Sequence, residues 1–180
     1  MPPPNSPVPH SVPVAGLGAA VLAYRPGVSE AEFLQHFPLK YSVQAFTIYD
    51  AQKNGWDTDR TFWKFLEAFR YVSDAWGSID IPANFVTDFA SVPPRLQSII
   101  TNDAPIILYP SAPHDFLFTK RDSDGTRGWI NNTTQLSLTQ VNKVLTEAMA
   151  ICGANQLTCD MVFSAVELAN EPVRGDFAPG

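Results

Sequence analysis

The sequence predicts an α+β fold, and three observations carry that prediction. Two serine-led capping boxes precede apolar residues spaced at 3.6-residue intervals, as amphipathic helices require. Between them lie aromatic-rich extended runs interrupted by turn residues, as strands require. Ahead of both runs a proline-rich segment that fits neither period. At 180 residues, with 45% hydrophobic and 17% charged residues, the chain reads as one globular domain with an appended arm.

Taken in order, residues 1–14 (Met-Pro-Pro-Pro-Asn-Ser-Pro-Val-Pro-His-Ser-Val-Pro-Val) form a polyproline-type arm. It has too little apolar surface to order itself, so it is expected to cross onto another subunit or a partner protein. The domain proper spans 15–172, and 173–180 are a tail. Ser29-Glu-Ala-Glu32 opens a short helix that Pro38 closes, with Phe33, Leu34 and Phe37 on its packed side. Ser42–Tyr49, Phe62–Val72 and Gly77–Val86 read as extended. The last two are joined by Ser73-Asp74-Ala75 into a hairpin. Lys53-Asn-Gly-Trp-Asp57 is a surface turn. Ser111–Phe118 reads as a short helix started by Ser-Ala-Pro, and Lys120–Asn132 as a polar loop. Asp122-Ser-Asp124-Gly125 has some look of a calcium loop but lacks the further ligand positions, so it is taken as a solvated turn. The clearest helix is Leu138–Cys152. Ser137 and Gln140 make its capping box, and Val141, Val144, Leu145, Ala148, Met149 and Cys152 make its stripe. A second amphipathic helix, Cys159–Asn170, turns Val162, Ala165, Val166 and Ala169 inward and stops at Pro172. The two helices are expected to pack as an antiparallel pair. The Arg174-Gly175-Asp176 triplet in the tail is read as chance.

Composition removes several function classes. A net charge of −6, with twelve scattered Lys and Arg residues, argues against nucleic acid as the partner. No apolar run approaches the roughly 18 to 20 residues of a membrane span. Val14–Ala23 is apolar but short and follows prolines rather than lysines, unlike a signal peptide. The three histidines are His10, His36 and His114, too few and too scattered for a zinc peptidase. Cys152 and Cys159 flank a Gly153-Ala154-Asn155 turn. They bridge only if their Cα atoms come within about 7 Å; two reduced core thiols at facing helix ends are the simpler reading.

One pair of blocks carries chemistry: Ile81-Pro-Ala-Asn-Phe-Val-Thr-Asp88-Phe-Ala-Ser91-Val-Pro93, then His114-Asp115-Phe-Leu-Phe118. An acid in a proline-terminated loop, followed by a His-Asp step in an apolar stretch, can form a proton shuttle beside a cation. It can equally be a folding staple, with His114 tied to Asn142 and Asp115, and Asp88 with Ser91 capping the turn that Pro93-Pro94 stiffens. The blocks resemble an uncharacterised domain found mostly in phages and prophages, with the pattern V-P-x-G-F-x-T-D-x-A-S-V-P … H-D-x-L-Y … A-D-x-x-F, from about Ile81 to Cys152. They are more distantly similar to short bacterial and fungal secreted phospholipases A₂. That second resemblance implies Asp88 and Asp115 as Ca²⁺ ligands together with loop carbonyls, His114 as general base, and an acid orienting the histidine from the later helix. Hard oxygen ligands suit Ca²⁺.

The chain departs from that catalytic set. The orienting position is Asn142, which accepts a hydrogen bond but brings no charge to an imidazolium. Phe118 replaces a tyrosine, and Phe89 stands where close backbone approach would favour glycine. Ala90 and Pro113 replace the phospholipase half-cystines. The expectation is therefore a virion component of phage or prophage origin at the tail or baseplate, with a degraded His-Asp core. Its partners would be other virion proteins or its own copies, through the arm. The alternative is a Ca²⁺-dependent envelope hydrolase, phospholipid-directed before peptidoglycan, acting in lysis or as an antibacterial effector. That protein would work from the bacterial cytoplasm or be delivered to the envelope.

Overall fold

A computed structural model describes residues 29–39, 42–45, 52–53, 55, 62–88, 105–119, 129–130 and 134–169. The proline arm, the Asp122–Gly125 loop and the C-terminal tail lie outside them. Among the described residues the order is α1 (Glu30–His36), β1 (Val43–Ala45), β2 (Trp63–Phe65), β3 (Phe69–Ser73), β4 (Gly77–Ile81), β5 (Val86–Thr87), α2 (Pro105–Thr119), β6 (Trp129–Ile130), β7 (Thr134–Gln135), α3 (Leu138–Ile151) and α4 (Gln156–Ala169). The fold is α+β: among the described residues every strand pairing is antiparallel, in sheets ordered β1-β2-β5, β3-β4 and β6-β7.

α1 starts where the Ser29 hydroxyl accepts from the Glu32 amide at 3.1 Å. It buries Phe33 and Phe37 but leaves Leu34 exposed, against the expectation that all three pack. Phe37 lies at the centre of an aromatic cluster. Its ring centroid is 5.0 Å from Phe33, 5.1 Å from Tyr71, 5.4 Å from Tyr109 and 6.0 Å from Phe69. Burial holds the Tyr109 phenol protonated, raising its pKa to about 12, with the Cys152 thiol adding to the effect.

The hairpin is present as expected, pairing Phe69–Ser73 with Gly77–Ile81. Gly77 takes φ +74°, the left-handed residue that closes a three-residue hairpin loop. Ser73 Oγ accepts from the Ala75 and Trp76 amides and donates to Glu147 Oε2 at 3.0 Å. Glu147, on α3, also accepts from the Tyr71 hydroxyl and the Asp74 amide, each at 2.9 Å. One carboxylate thus fastens the hairpin to the helix layer. Burial first, and the Glu147 charge second, hold the Tyr71 phenol far above its ordinary range.

The two long strands read from the sequence are each divided. Leu66 to Ala68 separates β2 from β3, and Pro82 to Phe85 separates β4 from β5, so the chain changes sheets at both points. Pro82 cannot donate to a ladder, and Asn84 adopts φ 68°, a conformation that asparagine tolerates. The bends are then stitched together: Asn84 N donates to Phe65 O at 2.7 Å, and Phe65 N donates to Phe85 O at 2.9 Å.

α2 corrects the expectation most clearly. It runs from Pro105 to Thr119, with Pro110 and Pro113 inside it rather than near its start. Each interior proline removes an amide donor and crowds the preceding turn, at a cost of about 3 kcal/mol in a free helix. Burial offsets this, because Ile107, Ala112 and Leu117 are each 0% exposed.

α3 follows its predicted stripe and its capping box, with Gln140 Oε1 accepting from Ser137 N at 2.8 Å. α4 begins a turn earlier than expected, because Asn155 Oδ1 accepts from Thr158 N at 2.9 Å and caps the helix. Val162 and Val166 face the core, but Ala169 is exposed. The start of α3 meets the end of α4, and Cys159 Sγ reaches Thr146 O at 3.6 Å further along, so the two helices run antiparallel. Cys152 and Cys159 are both buried and are not bridged to each other.

Candidate functional site

Thr87 of the first sequence block and His114, Asp115 and Phe118 of the second meet, with Asn142, at the junction of β5, α2 and α3. β5 is held in register by Trp63↔Thr87 pairing with β2, and Thr87 is turned inward at 5% exposure. On α2, adjacent side chains diverge by about 100°. His114 and Asp115 therefore address different neighbours from one turn. Asp115 Oδ2 accepts a short hydrogen bond from the Thr87 hydroxyl. Its other oxygen, Oδ1, lies 3.3 Å from His114 Nδ1. The opposite ring nitrogen, Nε2, lies 3.1 Å from Asn142 Oδ1 on α3. Phe118, one turn along α2, stacks on the imidazole with centroids 5.8 Å apart.

The chain of bonds continues outward. Asn142 Nδ2 donates to Glu167 Oε1 on α4 at 2.7 Å, and Thr139 Oγ1 reaches Glu167 Oε2 at 3.4 Å. A continuous polar path thus links β5, α2, α3 and α4 through the apolar interior. Asn142 is 0% exposed and His114 4%, so each depends on protein partners.

Sequence reasoning placed His114, Asp115 and Asn142 together, and the structure brings them together. It missed Glu167. The available signal was Asn142 itself: an amide on the buried stripe of α3 must satisfy both its oxygen and its nitrogen. Thr87 sat inside the quoted block without an assigned role. Ser111 Oγ, one turn before His114 and fully buried, has no hydrogen-bond partner among the described residues.

Asp88 follows β5 directly and is half-buried. The chain directly after it, residues 89–104, lies outside the described ones, so the loop carbonyls expected beside it are not all among the described residues. Among the described residues, no three His, Cys, Asp or Glu side chains gather as a metal site. Both Asp115 oxygens face protein groups instead. A general base needs a nitrogen within about 2.6 to 3.2 Å of the proton it takes, directly or through one water. In this arrangement both His114 nitrogens face protein acceptors within a 5%-exposed side chain. The arrangement joins four elements, β5, α2, α3 and α4, by side-chain hydrogen bonds.

No helix among the described residues is long and apolar enough to cross a membrane. No curated protein and no solved structure matches the chain. Residues 63–166 match one family, and that span contains β2 through most of α4 and every residue of the polar path except Glu167. Over more than half its length, then, this chain belongs to the family described as "Protein of unknown function (DUF1353)".

Proposed function

We propose that the protein is a non-catalytic structural component of phage or prophage particles, at the tail or baseplate, in which the His-Asp motif serves as a core clasp. One observation carries the clasp: both ring nitrogens of buried His114 are occupied by protein groups, at 3.3 and 3.1 Å. Asn142 supports it, because the residue facing Nε2 is an amide and not the acid that the phospholipase resemblance implies there. The particle setting rests on the resemblance of the two blocks to a phage and prophage domain. The acidic balance of the chain agrees with protein rather than nucleic-acid partners.

Purified particles from a phage carrying this gene test the setting. Quantitative mass spectrometry is expected to find the chain at a fixed copy number relative to the other tail proteins. Its absence from purified particles, with abundance only in the lysate, would contradict the assignment.

A second reading, a Ca²⁺-dependent ester hydrolase, is favoured by one specific contact. His114 Nε2 meets the residue at the position from which the phospholipase resemblance implies an orienting acid. On that reading Asp115 would have to exchange its Thr87 and His114 partners for the cation, with Asp88 joining it. Phospholipid hydrolysis separates the two readings.

A further inference from the structure

We infer that Glu167 is a positioning residue for His114, acting through Asn142, so that on the Nε2 side the negative charge is carried one side chain beyond the residue touching the ring, while Asp115 faces Nδ1 directly. A carboxylate only accepts hydrogen bonds, so the Asn142 group 2.7 Å from Glu167 Oε1 must be its nitrogen. That fixes the amide and turns its oxygen toward the ring, 3.1 Å from His114 Nε2. An amide oxygen is also only an acceptor, so Nε2 must carry hydrogen. Glu167 thereby sets the hydrogen-bond direction from His114 Nε2 outward, although it never touches the imidazole. The order reads Thr87 to Asp115 at one end, and His114 to Asn142 to Glu167 at the other.

This changes what an acid at position 142 would do. Considered alone, Asn142→Asp gives the histidine an anionic partner. With Glu167 in place it sets two carboxylates against each other at the distance now spanned by a hydrogen bond, and like charges that close disfavour one another. Moving the charge instead of adding one avoids the conflict. In Asn142→Asp with Glu167→Gln, the glutamine amide donates to the new carboxylate, which still accepts from Nε2–H. The inference rests on hydrogen-bond geometry alone and is independent of the particle assignment, because its test needs neither partner nor substrate.

The test uses the purified full-length chain at neutral pH. Asn142→Asp is expected to melt about 5 °C or more below the wild type, and adding Glu167→Gln to it is expected to raise the melting temperature again. A double variant that melts no higher than Asn142→Asp would overturn the inference, as would an Asn142→Asp protein that melts at or above the wild type. If Asn142→Asp does not fold, folding of the double variant is the readout. Nitrogen-15 spectra of the wild-type imidazole add a signature that packing alone would not produce. His114 Nε2 is expected to show a directly bonded hydrogen; a bare Nε2 with hydrogen on Nδ1 only would overturn the assignment.

Discussion

Phe37→Ala is expected to lower the unfolding free energy by about 3 to 5 kcal/mol. The residue is 1% exposed and is surrounded by Phe33, Phe69, Tyr71 and Tyr109. Removing the ring forfeits its burial and leaves a cavity that four large, mutually constrained rings cannot easily close. Aromatic pairs of this kind add about 0.5 to 1.5 kcal/mol beyond buried area. Phe37 also ends α1, so its loss should loosen the helix from β3, where His36 Nδ1 meets Val72 O at 2.8 Å. Urea unfolding followed by circular dichroism measures this. A loss below about 1 kcal/mol would show that the cluster is not the core its geometry describes.

His114→Ala is expected to cost about 3 kcal/mol or more. The variant removes one partner from Asp115 and one from Asn142, both buried. Asp115 keeps Thr87 and Asn142 keeps Glu167, but each loses a buried contact, and such losses cost about 1 to 3 kcal/mol each, more where a charge is involved. The stacked Phe118 ring loses its neighbour as well. For a chain of this length each kcal/mol moves the melting temperature by about 2 to 4 °C, so a fall of about 6 °C or more is the expected reading. A variant that folds with wild-type stability would remove the clasp and favour a histidine kept for chemistry.

Much of this architecture was legible in the sequence because local and tertiary signals agree. In α3, the capping box and the apolar stripe name the same helix start and the same buried face. The β3–β4 hairpin is similar: its serine-led turn and flanking aromatics leave a single pairing register. Where the signals compete, the reading failed. Pro110 and Pro113 argue for a helix start near Ser111, yet burial of Ile107 and its neighbours extends α2 back to Pro105. The runs Phe62–Val72 and Gly77–Val86 look continuous because side-chain character does not reveal a change of sheet. Only Pro82 and Asn84 hint at the second bend. Leu34 and Ala169 were assigned inward from their spacing, but helices at the edge of a small domain bury a narrower stripe than an apolar count suggests.

The site was legible in its centre and not at its ends. His114, Asp115 and Asn142 could be placed together because a His-Asp step and a polar residue on a buried helical stripe each demand partners. Glu167 and Thr87 could not, since their roles depend on how α4 and β5 lie against those elements, and no local pattern encodes that. Glu147 is the same kind of residue: three donors from one hairpin converge on it across more than seventy residues of chain.

The central claim is that the His-Asp motif holds the fold together rather than attacking a substrate. Its most direct test is fatty-acid release from phospholipid vesicles by the full-length protein in millimolar calcium. The clasp predicts release no faster than buffer alone, with and without calcium. Calcium-dependent release by the wild type, absent from an Asp115→Asn variant that remains folded, would contradict the account and return His114 to the role of general base.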